Sequence, residues 1–169
     1  GEERAPGEFG ELWTRSGQNM LGYYNNPEAT ARTITSDGWL KTGDGGYIDA
    51  DGYIFLTDRL KDVIISGGEN VYPTEVENVL ASHPAVAELA VIGVPSERWG
   101  ETVKAIVALK PGQQATAEEL IKYSATALAG YKRPTSVDFM PALPRNPTGK
   151  LLKAALREPY WQDMQRRIA

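Results

Sequence analysis

The sequence predicts an α+β fold in two parts, a strand-rich stretch over residues 1–60 and a small domain over 61–169 whose short sheet is flanked by helices. Before Arg59 the apolar residues alternate with the period of two that marks strands. After Arg59 strand-like runs alternate with segments of helical period. A length of 169 residues, 41% hydrophobic and 24% charged, fits one ordinary globular domain or two small ones.

The elements follow in chain order. GELWTRS at 10–16 alternates as a strand and has no partner before it, so with no initiator methionine the chain reads as a piece of a longer protein. Asn26 is placed to cap a helix over 27–34, with Pro27 at its first position. YID and YIFLTD flank Ala50-Asp51-Gly52, and Asp-Gly between β-rich runs signals a hairpin. The boundary falls at Asp58-Arg59-Leu60-Lys61. DVIIS at 62–66 reads as a short strand that Gly67-Gly68 breaks. PTEVENVLAS at 73–82 puts Val76, Val79 and Leu80 on one helical face between Pro73 and Pro84. VAELAVIGVP and ETVKAIVALKP are two strands joined by residues 96–100. Residues 116–129 form a helix with Leu120, Tyr123, Ala127 and Leu128 inward and Gly130 at its end. TSVDFM at 135–140 is the last strand, and a final helix runs from Leu151 to Arg157.

Composition removes several function classes. There are no cysteines and one histidine, His83 beside Pro84, so a thiolate or histidine metal centre is not expected. No run approaches the roughly 18 apolar residues of a membrane span, and the acidic N-terminus is unlike a signal peptide. A cytoplasmic location is expected, with room for peripheral membrane association. The net charge of −4 divides unevenly: 7 Lys and Arg against 16 Asp and Glu over 1–98, then 11 against 6 over 99–169. The basic half suits an anionic ligand such as a nucleotide or a phosphorylated cofactor. It lacks the dense Lys/Arg run with interleaved aromatics of a nucleic-acid surface. PRNPTGK at 144–150 sets Lys150 on a loop stiffened by Pro and Gly. It is no phosphate-cradling P-loop, since Pro144 stands where glycine is needed and Leu151 where a hydroxyl is needed.

Four ordered segments carry a resemblance: GELWTRSGQNMLGYYNNPEAT at 10–30, KTGD at 41–44, DRLKDVIISGGENVYPTEVE at 58–77 and PRNPTGK at 144–150. Together they resemble the C-terminal portion of AMP-forming acyl-CoA synthetases, with the ISGGENVYP wording of fatty-acid and aryl-acid CoA ligases. The resemblance implies that residues 1–60 end the large N-terminal domain of such an enzyme and that 61–169 are its small lid domain. It also implies the reaction. A carboxylate and ATP give acyl-adenylate and pyrophosphate, and the acyl group then passes to the thiol of coenzyme A.

Residue by residue, the resemblance implies that Asp44 accepts hydrogen bonds from both ribose hydroxyls of ATP from a rigid Thr-Gly-Asp turn. Arg59 matches an arginine that reaches the ribose or a phosphate. Lys150 matches the catalytic lysine of the adenylation step, where a cation offsets the repulsion between the carboxylate and the α-phosphate. Lys61 stands at the family's hinge. Gly67 and Gly68 match the loop that lets the pantetheine arm of coenzyme A pass, and Trp99 and Arg133 match residues near the coenzyme A channel and its phosphates.

The family's phosphate loop, its Mg2+ site and its acyl pocket match nothing in this sequence and are expected upstream, in the missing N-terminal domain. The chain alone is therefore expected to be inactive, and its unpaired strand edges to favour self-association. Two alternatives remain at this stage. One is an amino-acid adenylation domain that loads a carrier protein, which a chain ending soon after Lys150 disfavours. The other is a non-catalytic nucleotide-binding or interaction module that kept the fold.

Overall fold

The computed structural model describes residues 2–162. Residues 163–169, the end of the expected lid domain, lie outside them. The chain divides into two compact units, one ending at Lys61 and the other beginning at Asp62.

In the first unit, strands β1 (Gly10–Thr14), β2 (Leu40–Ile48) and β3 (Ile54–Arg59) form an antiparallel sheet in that order, so the partner of GELWT lies downstream of it. Helix α1 (Pro27–Thr33) starts as expected: the Asn26 side chain accepts from the Ala29 N–H at 3.0 Å and Pro27 opens the first turn. The β2–β3 turn is closed by Asp49, whose carboxylate accepts from the Asp51 and Tyr53 N–H groups. Among the described residues of this unit only Gly45 and Gly46 are buried. Among these residues no apolar side chain is enclosed, and Tyr53 and the edge-strand residues Ile54, Phe55 and Leu56 stay exposed. A three-stranded sheet of this size has too few side chains to enclose a core.

The second unit is built on a long hairpin of β6 (Val86–Ser96) and β7 (Gly100–Leu109), paired through ten registered positions. Its other short strands are β4 (Ile64–Ser66), β5 (Glu69–Val71) and β8 (Ser136–Phe139). The order is β5-β4-β7-β6, and β8 runs parallel to β7. The sheet is covered on both faces, which is why β6 and β7 read as apolar runs. Helices α2 (Pro73–Ala81) and α3 (Ala117–Ser124) lie over the face that carries Val91, Val103, Ala105 and Val107, with Val76, Leu80 and Leu120 buried against them. Helix α4 (Lys153–Trp161) covers the face of Ala90, Ile92, Val94 and Ile106, and Leu156 is its buried residue.

Four expectations change. Gly67-Gly68 does not end the β structure: both glycines have positive φ, +61° and +89°, and make a two-residue turn into β5. The strand begins at Ile64, because Leu60–Asp62 is a 3₁₀ turn. Helix α3 starts on the Thr116 capping box but stops at Ser124; Ala127 is exposed, Leu128 is buried from the following turn, and Gly130 opens a 3₁₀ turn of its own. Helix α4 begins two residues late, since Leu151 is held in a β-bridge with Arg145, and continues past Pro159 to Trp161. Tertiary contacts outweigh the proline there. The Tyr160 hydroxyl donates to Asp138, and the Trp161 indole N–H donates to the Gly93 carbonyl at 3.0 Å.

The Tyr160–Asp138 contact gives the unit an alkaline limit. Burial first, and then the bond to the Asp138 carboxylate, push the Tyr160 hydroxyl up from 10 to about 12. Its neutral form is favoured when folded, so that stabilisation is complete below about pH 10 and is lost between about pH 10 and 12. The melting temperature of the chain is expected to fall over that range. Tyr160→Phe, followed by circular dichroism, should flatten the alkaline fall while lowering stability at neutral pH.

Candidate functional site

In the first unit the structure brings Asp44 and Arg59 together. They are registered partners on β2 and β3, and the Arg59 Nε lies 3.2 Å from the Asp44 carboxylate. Both side chains remain part-exposed, so water screens the pair and it contributes little to stability. Thr-Gly-Asp is no free turn but part of β2, next to a bulge between Asp44 and Gly46. Gly43, at φ +74°, is fixed by the Glu11 carboxylate accepting its N–H at 3.0 Å. Thr42 accepts from the Asp44 N–H at 3.1 Å and donates to the Leu12 carbonyl at 2.7 Å. The bulge re-aims Asp44, and its neighbours hold the backbone there. Lys61 is exposed in the 3₁₀ turn at the end of this unit.

In the second unit Gly67 and Trp99 meet. The Gly67 N–H donates to the Trp99 carbonyl at 2.9 Å, and a Cβ on Gly67 would stand 2.9 Å from the indole ring. Trp99 is 46% exposed, with the Arg98 guanidinium 4.4 Å over its ring. A part-exposed indole, packed against a side-chain-free turn and overlaid by a guanidinium, therefore stands at the tip of the β6–β7 hairpin. Arg133 follows the 3₁₀ turn Gly130–Lys132, which packs against β5, and its Nε donates to the Leu128 carbonyl at 2.9 Å. The preceding Lys132 is tied to Glu75 at 2.7 Å, a bond that raises its pKa.

Lys150 stands apart from this group, on a loop built by Asn146. The Asn146 amide oxygen accepts from the Thr148 N–H, the Thr148 hydroxyl and the Lys150 N–H at 3.1, 2.8 and 2.8 Å. Its own N–H donates to the Lys150 carbonyl at 2.9 Å. Both backbone groups of Lys150 are thus fixed, while its side chain is exposed. Among the described residues no carboxylate pairs with its ammonium. Sequence reasoning missed Asn146 and Arg145; Asn before Pro is a turn-forming signal in its own right, whereas nothing local marks Arg145. No group of three or more His, Asp or Glu among the described residues could hold a metal ion, and no helix among them is long and apolar enough to cross a membrane.

Residues 75–150 match the AMP-binding enzyme C-terminal domain. The chain is 47% identical over 168 residues to a fatty acid–[acyl-carrier-protein] ligase, ScoC of Streptomyces coeruleorubidus, covering 99% of this chain and 32% of the relative. It is 50% identical over 151 residues to the long-chain-fatty-acid–CoA ligase FadD13 of Mycobacterium tuberculosis, covering 89% and 30%. Among solved structures it matches ATP-bound MatB from Rhodopseudomonas palustris with a TM-score of 0.90 at 38% identity, covering 96% of this chain and 32% of that one. The chain thus spans about a third of the length of the relatives it matches. Its homologues are acyl-CoA and fatty-acid ligases of the adenylate-forming superfamily.

Proposed function

From the premise that residues 75–150 are an AMP-binding enzyme C-terminal domain, we propose that this chain is the C-terminal part of an AMP-forming ligase. The ligase activates a fatty or aryl carboxylate as its acyl-adenylate and passes the acyl group to coenzyme A. The observation that carries the reading is the Lys150 loop: a backbone fixed at both ends presents an exposed ammonium with no carboxylate partner among the described residues. Residues 1–60 belong in this reading to the large domain, and residues from Lys61 on to the lid.

The chemistry assigns a task to each group. A carboxylate oxygen attacks the α-phosphorus of ATP and pyrophosphate leaves. Two anions must meet for that, and Lys150 lowers the cost by facing both as charge redistributes. Asp44 accepts the two ribose hydroxyls while Arg59 holds its carboxylate in place and offers its remaining N–H groups to the nucleotide. A thiol then attacks the acyl carbon and AMP leaves. The Gly67-Gly68 turn and the part-exposed Trp99 border the passage of the thiol's pantetheine arm, with Arg133 near the phosphates. A Mg2+ accompanying ATP would be held by the nucleotide's phosphates together with residues of the large N-terminal domain, and would offset the charge of the departing pyrophosphate. The missing N-terminal domain supplies the acyl pocket.

Acid-dependent exchange of labelled pyrophosphate into ATP by the full-length protein tests the first step. The expected result is exchange that requires a fatty or aryl acid. Exchange driven only by an amino acid, or none with any acid, would remove this reading. A second acceptor is favoured by one observation: the relative matched over 99% of this chain is a carrier-protein ligase. Mass spectrometry of a holo carrier protein and of coenzyme A in one incubation separates the two, and the coenzyme A thioester is the product expected.

A further inference from the structure

The loop that presents Lys150 is not held by itself. Its anchor in the sheet is Glu88, which stands on β6 just after a register shift between Val86 and Glu88. One Glu88 oxygen accepts from the Leu143 N–H at 3.1 Å, and the other from the Arg145 guanidinium at 2.5 Å. The second arm of that guanidinium donates to the Gly149 carbonyl at 2.8 Å, one peptide before Lys150. Arg145 is also bridged through its backbone to Leu151, one residue after Lys150. The Leu152 N–H closes the loop on the Pro144 carbonyl at 2.9 Å. Glu88 thus reaches both ends of the loop, Leu143 before it and, through Arg145, Gly149 next to Lys150, and does so from a strand held to β7 through ten registered positions.

A planar guanidinium suits this task because its fork can bind a carboxylate and a carbonyl at once, which an ammonium does less well. We propose that Glu88, acting through Arg145, is a positioning residue that fixes where the Lys150 ammonium stands during adenylation. The proposal rests on the reading of Lys150 given above. Glu88 touches no substrate. Its effect is geometric, and misplacing a catalytic group by about 1 Å can cost on the order of a hundredfold in rate.

Glu88→Gln in the full-length ligase keeps an acceptor for the Leu143 N–H but removes the charge that holds Arg145. The turnover of acid-dependent pyrophosphate exchange is expected to fall about ten- to a hundredfold, with KM for ATP and acid unchanged. Thioester formation from supplied acyl-adenylate should stay at the wild-type rate. Arg145→Lys should give the same split. The double variant should be no worse than the worse single one, because both changes break one chain of contacts. A wild-type exchange rate in folded Glu88→Gln, equal losses in both half-reactions, or additive losses in the double variant would each overturn the proposal. If Glu88→Gln does not fold, Arg145→Lys decides by the same split. Lys150→Ala run alongside keeps the two readings apart. An active Lys150→Ala would refute the lysine's role itself, and the Glu88 proposal with it; an inactive one beside an unaffected Glu88→Gln would refute Glu88 alone.

Discussion

Replacing Lys150 with alanine in the full-length ligase is expected to slow acyl-adenylate formation about a hundred- to a thousandfold, the usual loss when one fixed donor to a developing charge is removed. The reasoning starts from the loop. Asn146 binds both backbone groups of Lys150, so the side chain leaves the protein from a defined point. Among the described residues no carboxylate draws the ammonium aside, which keeps it available to two anions in the reacting complex. Thioester formation from supplied acyl-adenylate has no such pair of anions and should change far less. Single-turnover assays of the two half-reactions read the difference, and adenylation by Lys150→Ala at the wild-type rate would show the assignment to be wrong. Acetylation of Lys150 removes the same charge and should have the same effect.

Lys61→Pro is expected to separate the two half-reactions. Lys61 lies in the 3₁₀ turn Leu60–Asp62, at the end of the first compact unit. Proline fixes φ near −65°, within the range of a 3₁₀ turn, so the substitution restricts the backbone to conformations near the present one. If rotation about this residue carries the lid between the two steps, only one step survives. Assayed separately, adenylation and thioester formation should differ in their losses by about tenfold or more, since motions of this kind gate turnover. Equal losses would point to a structural contact of Lys61 instead of a pivot.

The parts of this structure legible in the sequence are those with local causes. The β2–β3 hairpin follows from Asp-Gly, α1 from Asn26 and Pro27, and α2 from the spacing of Val76, Val79 and Leu80 between two prolines. Strand β5 was hidden because three residues, two of them polar, carry no period. The end of α4 was hidden because Pro159 argues for a stop that Tyr160 and Trp161 override through contacts with Asp138 and Gly93, 22 and 68 residues away. The same division holds at the site. Lys150 stood out on its loop, and the resemblance named Asp44 and Arg59. That these two face each other depends on the β2–β3 register, and the reach of Glu88 to Arg145 spans 57 residues. No local pattern reports either one.

The account as a whole depends on a carboxylate attacking the α-phosphorus of ATP, and one measurement addresses that directly. The full-length protein is given a fatty or aryl acid with both carboxylate oxygens replaced by oxygen-18, together with ATP and coenzyme A, and the nucleotide product is analysed by mass spectrometry. If acyl-adenylate forms, one labelled oxygen remains on phosphorus when the thiol displaces it, and AMP carries a single oxygen-18. Recovery of ADP with the label in inorganic phosphate, or of unlabelled AMP beside acyl thioester, would contradict it.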